Sequence, residues 1–117
     1  NRIETSTTKA TTEFKSGWLG NYFAQSMLPK EKLNKMKAFK SMNPIHSSLS
    51  KNTVMVFIDQ QKQLLDLLNA SRDVNLSKVK TSISITTLIK LKLGDTFRFI
   101  IYHNKRHVVQ AQKVLAN

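Results

Sequence analysis

The chain has no cysteine in its 117 residues. That absence excludes disulfide frameworks, thiolate metal sites and cysteine nucleophiles together. It fits a reducing compartment, and a cytoplasmic location is the expectation. Glycine is almost as scarce. With only Gly17, Gly20 and Gly94, the chain has no glycine-rich phosphate loop and no GxSxG elbow. No apolar run approaches the ~20 residues that span a bilayer. No basic segment followed by an apolar one opens the chain as a signal peptide would, so no membrane partner is expected. Carboxylates are the last shortage, with seven Asp and Glu set against nineteen Lys and Arg. None of them forms an HExxH arrangement with a histidine.

What is present suffices for a single domain, residues 1–117, able to bury a core with little margin. The 40% apolar content argues against wholesale disorder. A net charge of +12 suits polyphosphates, nucleic acid or an anionic surface through counterion release. It equally suits a solvated surface that uses lysine for solubility. Fifteen of the nineteen cations are lysine, which lacks the bidentate fork that reads bases, so specific nucleic-acid binding is disfavoured.

Asn1 to Glu13 carries six Ser and Thr and reads as a loop or the frayed end of an earlier element. The chain starts without methionine, which suggests a processed or incomplete N-terminus. Phe14 to Leu28 collects Phe14, Trp18, Leu19, Tyr22, Phe23, Met27 and Leu28. From Trp18 onward the spacing predicts a short amphipathic helix, ended by Pro29. Lys30 to Lys51 is lysine-rich, with an Asn43-Pro44 turn signal, and reads as a long crossover. Asn52 to Asn69 is predicted to be a helix capped by Asn52 or Thr53. Its expected core stripe is Val54, Phe57, Ile58, Leu65 and Leu68, with Leu64 and Leu67 beside it. Val79 to Leu93 is rich in β-branched residues and has strand propensity. With no evident partner strand, it is read as an extended loop with a helical turn near Thr86 to Lys90.

The last helix begins near Gly94-Asp95, where the carboxylate favours the N-terminal dipole. At ~100° per residue, Phe97, Phe99, Ile100, Val108, Ala111, Val114 and Leu115 share one face. Arg98, Lys105, Arg106, Gln112 and Lys113 share the other. His103 and His107 fall within the apolar sector. Four residues apart, their rings project from one face and their nitrogens can converge on one ion. Zn, Ni, Fe and Mn all accept neutral imidazole, so spacing does not name the divalent metal. The competing reading is a chance HxxxH, packed at the core edge with its nitrogens hydrogen-bonded. Two neutral imidazoles buried together without an ion or donor would be costly, which strengthens the metal reading, although it still lacks a third ligand. His46 lies in the Pro44 connection, where exposure is the ordinary outcome. Asp59 and Asp66 sit on the polar side of their helix and make poor ligands. Arg106 is expected at the rim, where it could receive an anion.

Phe14-Lys15-Ser16-Gly17-Trp18-Leu19-Gly20-Asn21-Tyr22-Phe23 resembles a segment of DinB-like proteins. So does Leu91-Lys92-Leu93-Gly94-Asp95-Thr96-Phe97-Arg98-Phe99, followed by His103-Asn104-Lys105-Arg106-His107 and Gln110-Ala111-Gln112-Lys113-Val114-Leu115. The resemblance implies an all-α four-helix bundle with a long crossover before the third helix. It also implies a divalent metal held by three histidines, two of them an HxxxH pair that His103 and His107 match. Members resemble metal-dependent transferases of low-molecular-weight thiols, such as bacillithiol S-transferases, so a thiol transferase or hydrolase is the implied activity. The departure is at the start: the family's first helix and most of its second, with the third histidine, have no match here. Asn1 to about Ser6 would be the tail of the second helix. Such an incomplete bundle leaves apolar faces compatible with a homodimer. The alternative function is a non-catalytic basic bundle that binds acidic partners or nucleic acid through Lys30 to Lys51.

Overall fold

The computed structural model describes residues 2–11, 13–29, 48–83 and 86–116. Its elements are α1 (Trp18–Met27), α2 (Asn52–Ala70), a 3₁₀ turn (Ser71–Asp73), β1 (Lys80–Ile83), β2 (Thr86–Lys92) and α3 (Leu93–Ala116). The described residues are thus mostly helical, as expected. They form three α-helices and an antiparallel hairpin rather than a four-helix bundle. The crossover expected over Lys30 to Lys51 lies mainly outside the described residues. Arg2 to Thr5 forms turns rather than the end of a helix.

The hairpin corrects the reading of Val79 to Leu93 as a loop. The missing partner strand is the segment's own other half, with Lys80 opposite Lys92, Thr81 opposite Leu91 and Ser82 opposite Lys90. The register is irregular between Ser82 and Ile83. Lys90-Leu91-Lys92-Leu93 has the period of two that a half-buried strand requires. Leu91 and Leu93 are buried, whereas Lys90 is exposed. β2 passes into α3 without a loop. Two of the first amides of α3 find acceptors in the turn before β1: Leu93 donates to the Val79 carbonyl at 2.7 Å and Gly94 to that of Leu76 at 3.1 Å. That turn is held by Asn75, whose Oδ1 accepts from the Ser77 and Lys78 amides.

The core cluster is Ile3, Val74, Val79, Leu93 and Phe97, with Leu64, Leu68 and Leu76 packed against it. α2 has the predicted extent but not the predicted burial. Val54 is 62% exposed and Leu65 59%, and no residue of this helix is fully buried. Only its Leu64 and Leu68 edge reaches the cluster. Neither Asn52 nor Thr53 caps it; the Asn52 amide donates to Ser50 Oγ at 3.0 Å.

α1 ends before Pro29, as predicted, but packs through its small residues. Gly20, Ala24 and Met27 are buried, while Trp18 is 83% exposed. Gly20 lets α1 approach α3 closely, because a Cβ there would lie 2.5 Å from the Asp95 Cβ. A Cβ at Gly94 would lie 2.4 Å from the Phe14 ring. The two clashes differ in what can yield. Asp95 is fully buried, whereas Phe14 is half-buried on a connecting segment and can turn aside. Gly20→Ala is therefore expected to destabilise by about 1–3 kcal/mol through overpacking. Gly94→Ala should be near neutral, with helix propensity returning up to about 1 kcal/mol. Urea unfolding of the two variants checks the order; equal losses would contradict it.

Candidate metal centre

One face of α3 follows the α1 seam at four-residue steps through Asp95, Phe99, His103 and His107. At its start, Asp95 accepts from Ser16 Oγ, from the Gly17 amide at 2.8 Å and from Arg98 Nη1 at 3.2 Å. Arg98 also donates to Ser16 Oγ and to Asn21 Oδ1. The carboxylate predicted to serve the α3 dipole therefore also lies at the N-terminus of α1, whose N-cap Gly17 has no side chain to offer. This tie fixes the two helices in register and so sets what the later residues of the face meet.

What His103 meets is Met27, with Nδ1 3.1 Å from the thioether Sδ. Its ring stacks at a tilt on Phe99, centroids 5.8 Å apart. His107 lies one turn beyond the end of α1, and its Nδ1 is 2.9 Å from Gln110 Oε1. The two Nε2 atoms face each other at 2.9 Å. The predicted convergence of the rings is thus present. Their burial in the core is not: His103 is half-buried and His107 exposed. The reason is length. Ten residues of α1 run about 15 Å against about 36 Å for the 24 of α3. Beyond Met27 this face of α3 has no cover from α1, and Val108, Val114 and Leu115 are exposed as well.

The roles at the outer contacts depend on the tautomer. With a proton on Nδ1 of each ring, donated to the thioether and to the amide oxygen, both Nε2 lone pairs face one another and a cation can lie between them. With one ring protonated on Nε2 instead, the 2.9 Å contact is a hydrogen bond between the two histidines. Burial pushes the His103 pKa below its ordinary value, with the charges of His107 and Arg106 adding to the effect, which favours the neutral ring. A divalent ion fits the donor set. Nitrogens about 2.0–2.1 Å from one ion stand about 2.9–3.4 Å apart between right-angled and tetrahedral arrangements. Nδ1–H bonds to outer acceptors are also what fixes a ligating imidazole in place.

Arg106, expected at an exposed rim, is instead buried. Asp59 and Asp66 are exposed on α2, as predicted, and His46 lies outside the described residues. Among the described residues, no group of three or more His, Asp or Glu is arranged to hold a metal. Sequence reasoning missed Met27 and Gln110. Gln110 was within reach, three residues after His107 on the same helix. Met27, on another helix 76 residues away from His103, left no local signal.

The depressed His103 pKa carries a sign. Below about pH 6.5 the unfolded chain takes up a proton on this ring that the folded chain resists. Stability of metal-free protein should therefore fall as pH drops from about 6.5 to the folded-state pKa, and this contribution should level off below it. His103→Leu should lack that portion of the acid loss. Urea midpoints of both proteins between neutral and acidic pH measure it, and parallel curves would contradict it.

No helix among the described residues is long and apolar enough to cross a membrane. Compared with protein-family models, with curated proteins and with solved structures, the chain matches none.

Proposed function

We propose that this chain binds a divalent metal ion, with His103 and His107 each contributing a neutral imidazole Nε2. The observation that carries the reading is the pair of Nε2 atoms 2.9 Å apart on one helix face, each ring having its Nδ1 beside a side-chain atom able to accept from it. Remaining ligand positions would be filled by solvent, substrate or groups outside the described residues. An ion at such a site acts as a Lewis acid and lowers the pKa of a bound thiol or water. Taken with the DinB-like motifs of the last helix, this supports metal-dependent thiol transfer or hydrolysis as the activity. In that role Met27 and Gln110 would accept from the two Nδ1 atoms, and Phe99 packs against the His103 ring.

Titration of the chelator-treated chain with Zn²⁺ and Ni²⁺ tests the proposal. His107→Ala, on an exposed side chain that leaves the fold intact, should weaken binding at least 100-fold. Gln110→Ala should weaken it about 10-fold through the lost Nδ1 acceptor. Affinity should also fall as pH drops, because a metal-binding imidazole must be deprotonated. Equal metal affinity in the parent chain and His107→Ala would end the reading.

A further inference from the structure

A second site lies away from the histidines, where the N-terminal segment crosses the base of the hairpin. A cavity of about 380 Å³ there is lined by Arg2, Lys78, Lys80 and Lys90, by hydroxyl side chains of Thr5 to Thr8, and by no carboxylate. None of these four cations is ion-paired among the described residues, whose two salt bridges are Lys62–Asp59 and Arg98–Asp95.

The walls are built rather than incidental. On one side, Ile3 is buried against Val79 in the core cluster. Ser6 Oγ lies 2.8 Å from Thr8 Oγ1, and Thr8 Oγ1 accepts from the Asn75 amide. On the other side, Lys80 and Lys90 lie diagonal to one another on the same face of the hairpin. Like charges that close on one face repel one another. An anion in the cavity would offset that repulsion, while the ordered hydroxyls can donate hydrogen bonds to its oxygens.

We propose that this cavity binds a compact phosphoryl-bearing small molecule, of the di- or triphosphate class. Several cations converging from two walls match the several charges of such a group, and the volume falls in the range of small-ligand pockets. Lysines serve phosphate well as point charges. The site uses none of the residues of the metal proposal, so either can fail alone.

The test is calorimetric titration of the full chain, stripped of metal, with sodium pyrophosphate at low and constant ionic strength. Two double variants lose the same charge: Lys80→Ala/Lys90→Ala at the cavity and Lys62→Ala/Lys105→Ala away from it. Pyrophosphate affinity should drop at least tenfold in the first and change less than twofold in the second. Unfolding midpoints without ligand should be retained or raised in the first, since it removes like-charge repulsion. Equal losses in both would mean diffuse attraction by net charge, and no measurable binding would mean no site; either overturns the proposal. A single-stranded oligothymidylate that binds at least tenfold tighter than pyrophosphate, with the same dependence on Lys80 and Lys90, would overturn it in favour of a nucleic-acid strand.

Discussion

Phe97→Ala is expected to destabilise the chain by about 3–5 kcal/mol, the range for removing a buried phenyl ring and leaving a cavity. Phe97 lies in the first turn and a half of α3, where the helix meets Ile3, Val74, Val79 and Leu93. These residues come from three stretches of the chain, the N-terminal segment, the turn before β1 and α3 itself, so no single segment can collapse to refill the space. The loss is a large share of the roughly 5–15 kcal/mol that holds a domain together. Leu65→Ala supplies the contrast. Its side chain is apolar and sits in the predicted stripe of α2, yet it is mostly exposed, and the change should cost less than about 1 kcal/mol. Urea unfolding followed by far-ultraviolet circular dichroism measures both. Comparable losses would mean that α2 is buried along its full apolar stripe after all.

The second large effect is at Asp95. Asp95→Ala should cost about 3–5 kcal/mol, as when one member of a buried charged pair is removed. The loss removes the shared acceptor of the Ser16 hydroxyl, the Gly17 amide and the Arg98 guanidinium, leaving Arg98 only its bonds to Ser16 Oγ and Asn21 Oδ1. Asp95→Asn keeps the volume and one acceptor oxygen but turns an amide NH₂ toward a donor, so it should recover only part of the loss. The same measurement decides the matter, and a change under about 1 kcal/mol for the alanine variant would refute the role. Because Asp95 sets the register of α1 on α3, both variants should also loosen the Met27–His103 contact. A weaker Zn²⁺ affinity without any change at the histidines themselves would report this.

Several features of the fold were legible because they are local. The extents of the three helices follow from apolar spacing, from Pro29 and from Gly94-Asp95, all of which act within a turn or two of the chain. The facing of His103 and His107 is local too, since four residues on one helix fix it whatever surrounds them. The hairpin was half legible. Its composition indicated strand, but the pairing depended on the segment doubling back near Ile83, and Lys90-Leu91-Lys92-Leu93 was the alternation that identified its inner face. Burial was the least legible property. Trp18, Val54 and Leu65 are apolar by type and exposed in place, while Asp95 and Arg106 are charged and buried.

By itself, then, the amino-acid sequence determined where helices run, the excess of positive charge and the one-turn spacing of the two imidazoles. Each of these is a property of neighbours along the chain. Tertiary structure alone decided which faces are covered and which partners the histidines have. α1 is too short to sheath α3, so His107 stays in water while His103 rests on Met27. It also decided that Arg2, Lys78, Lys80 and Lys90 surround one cavity. Such groupings join residues far apart in the chain, and only packing of the folded chain brings them together.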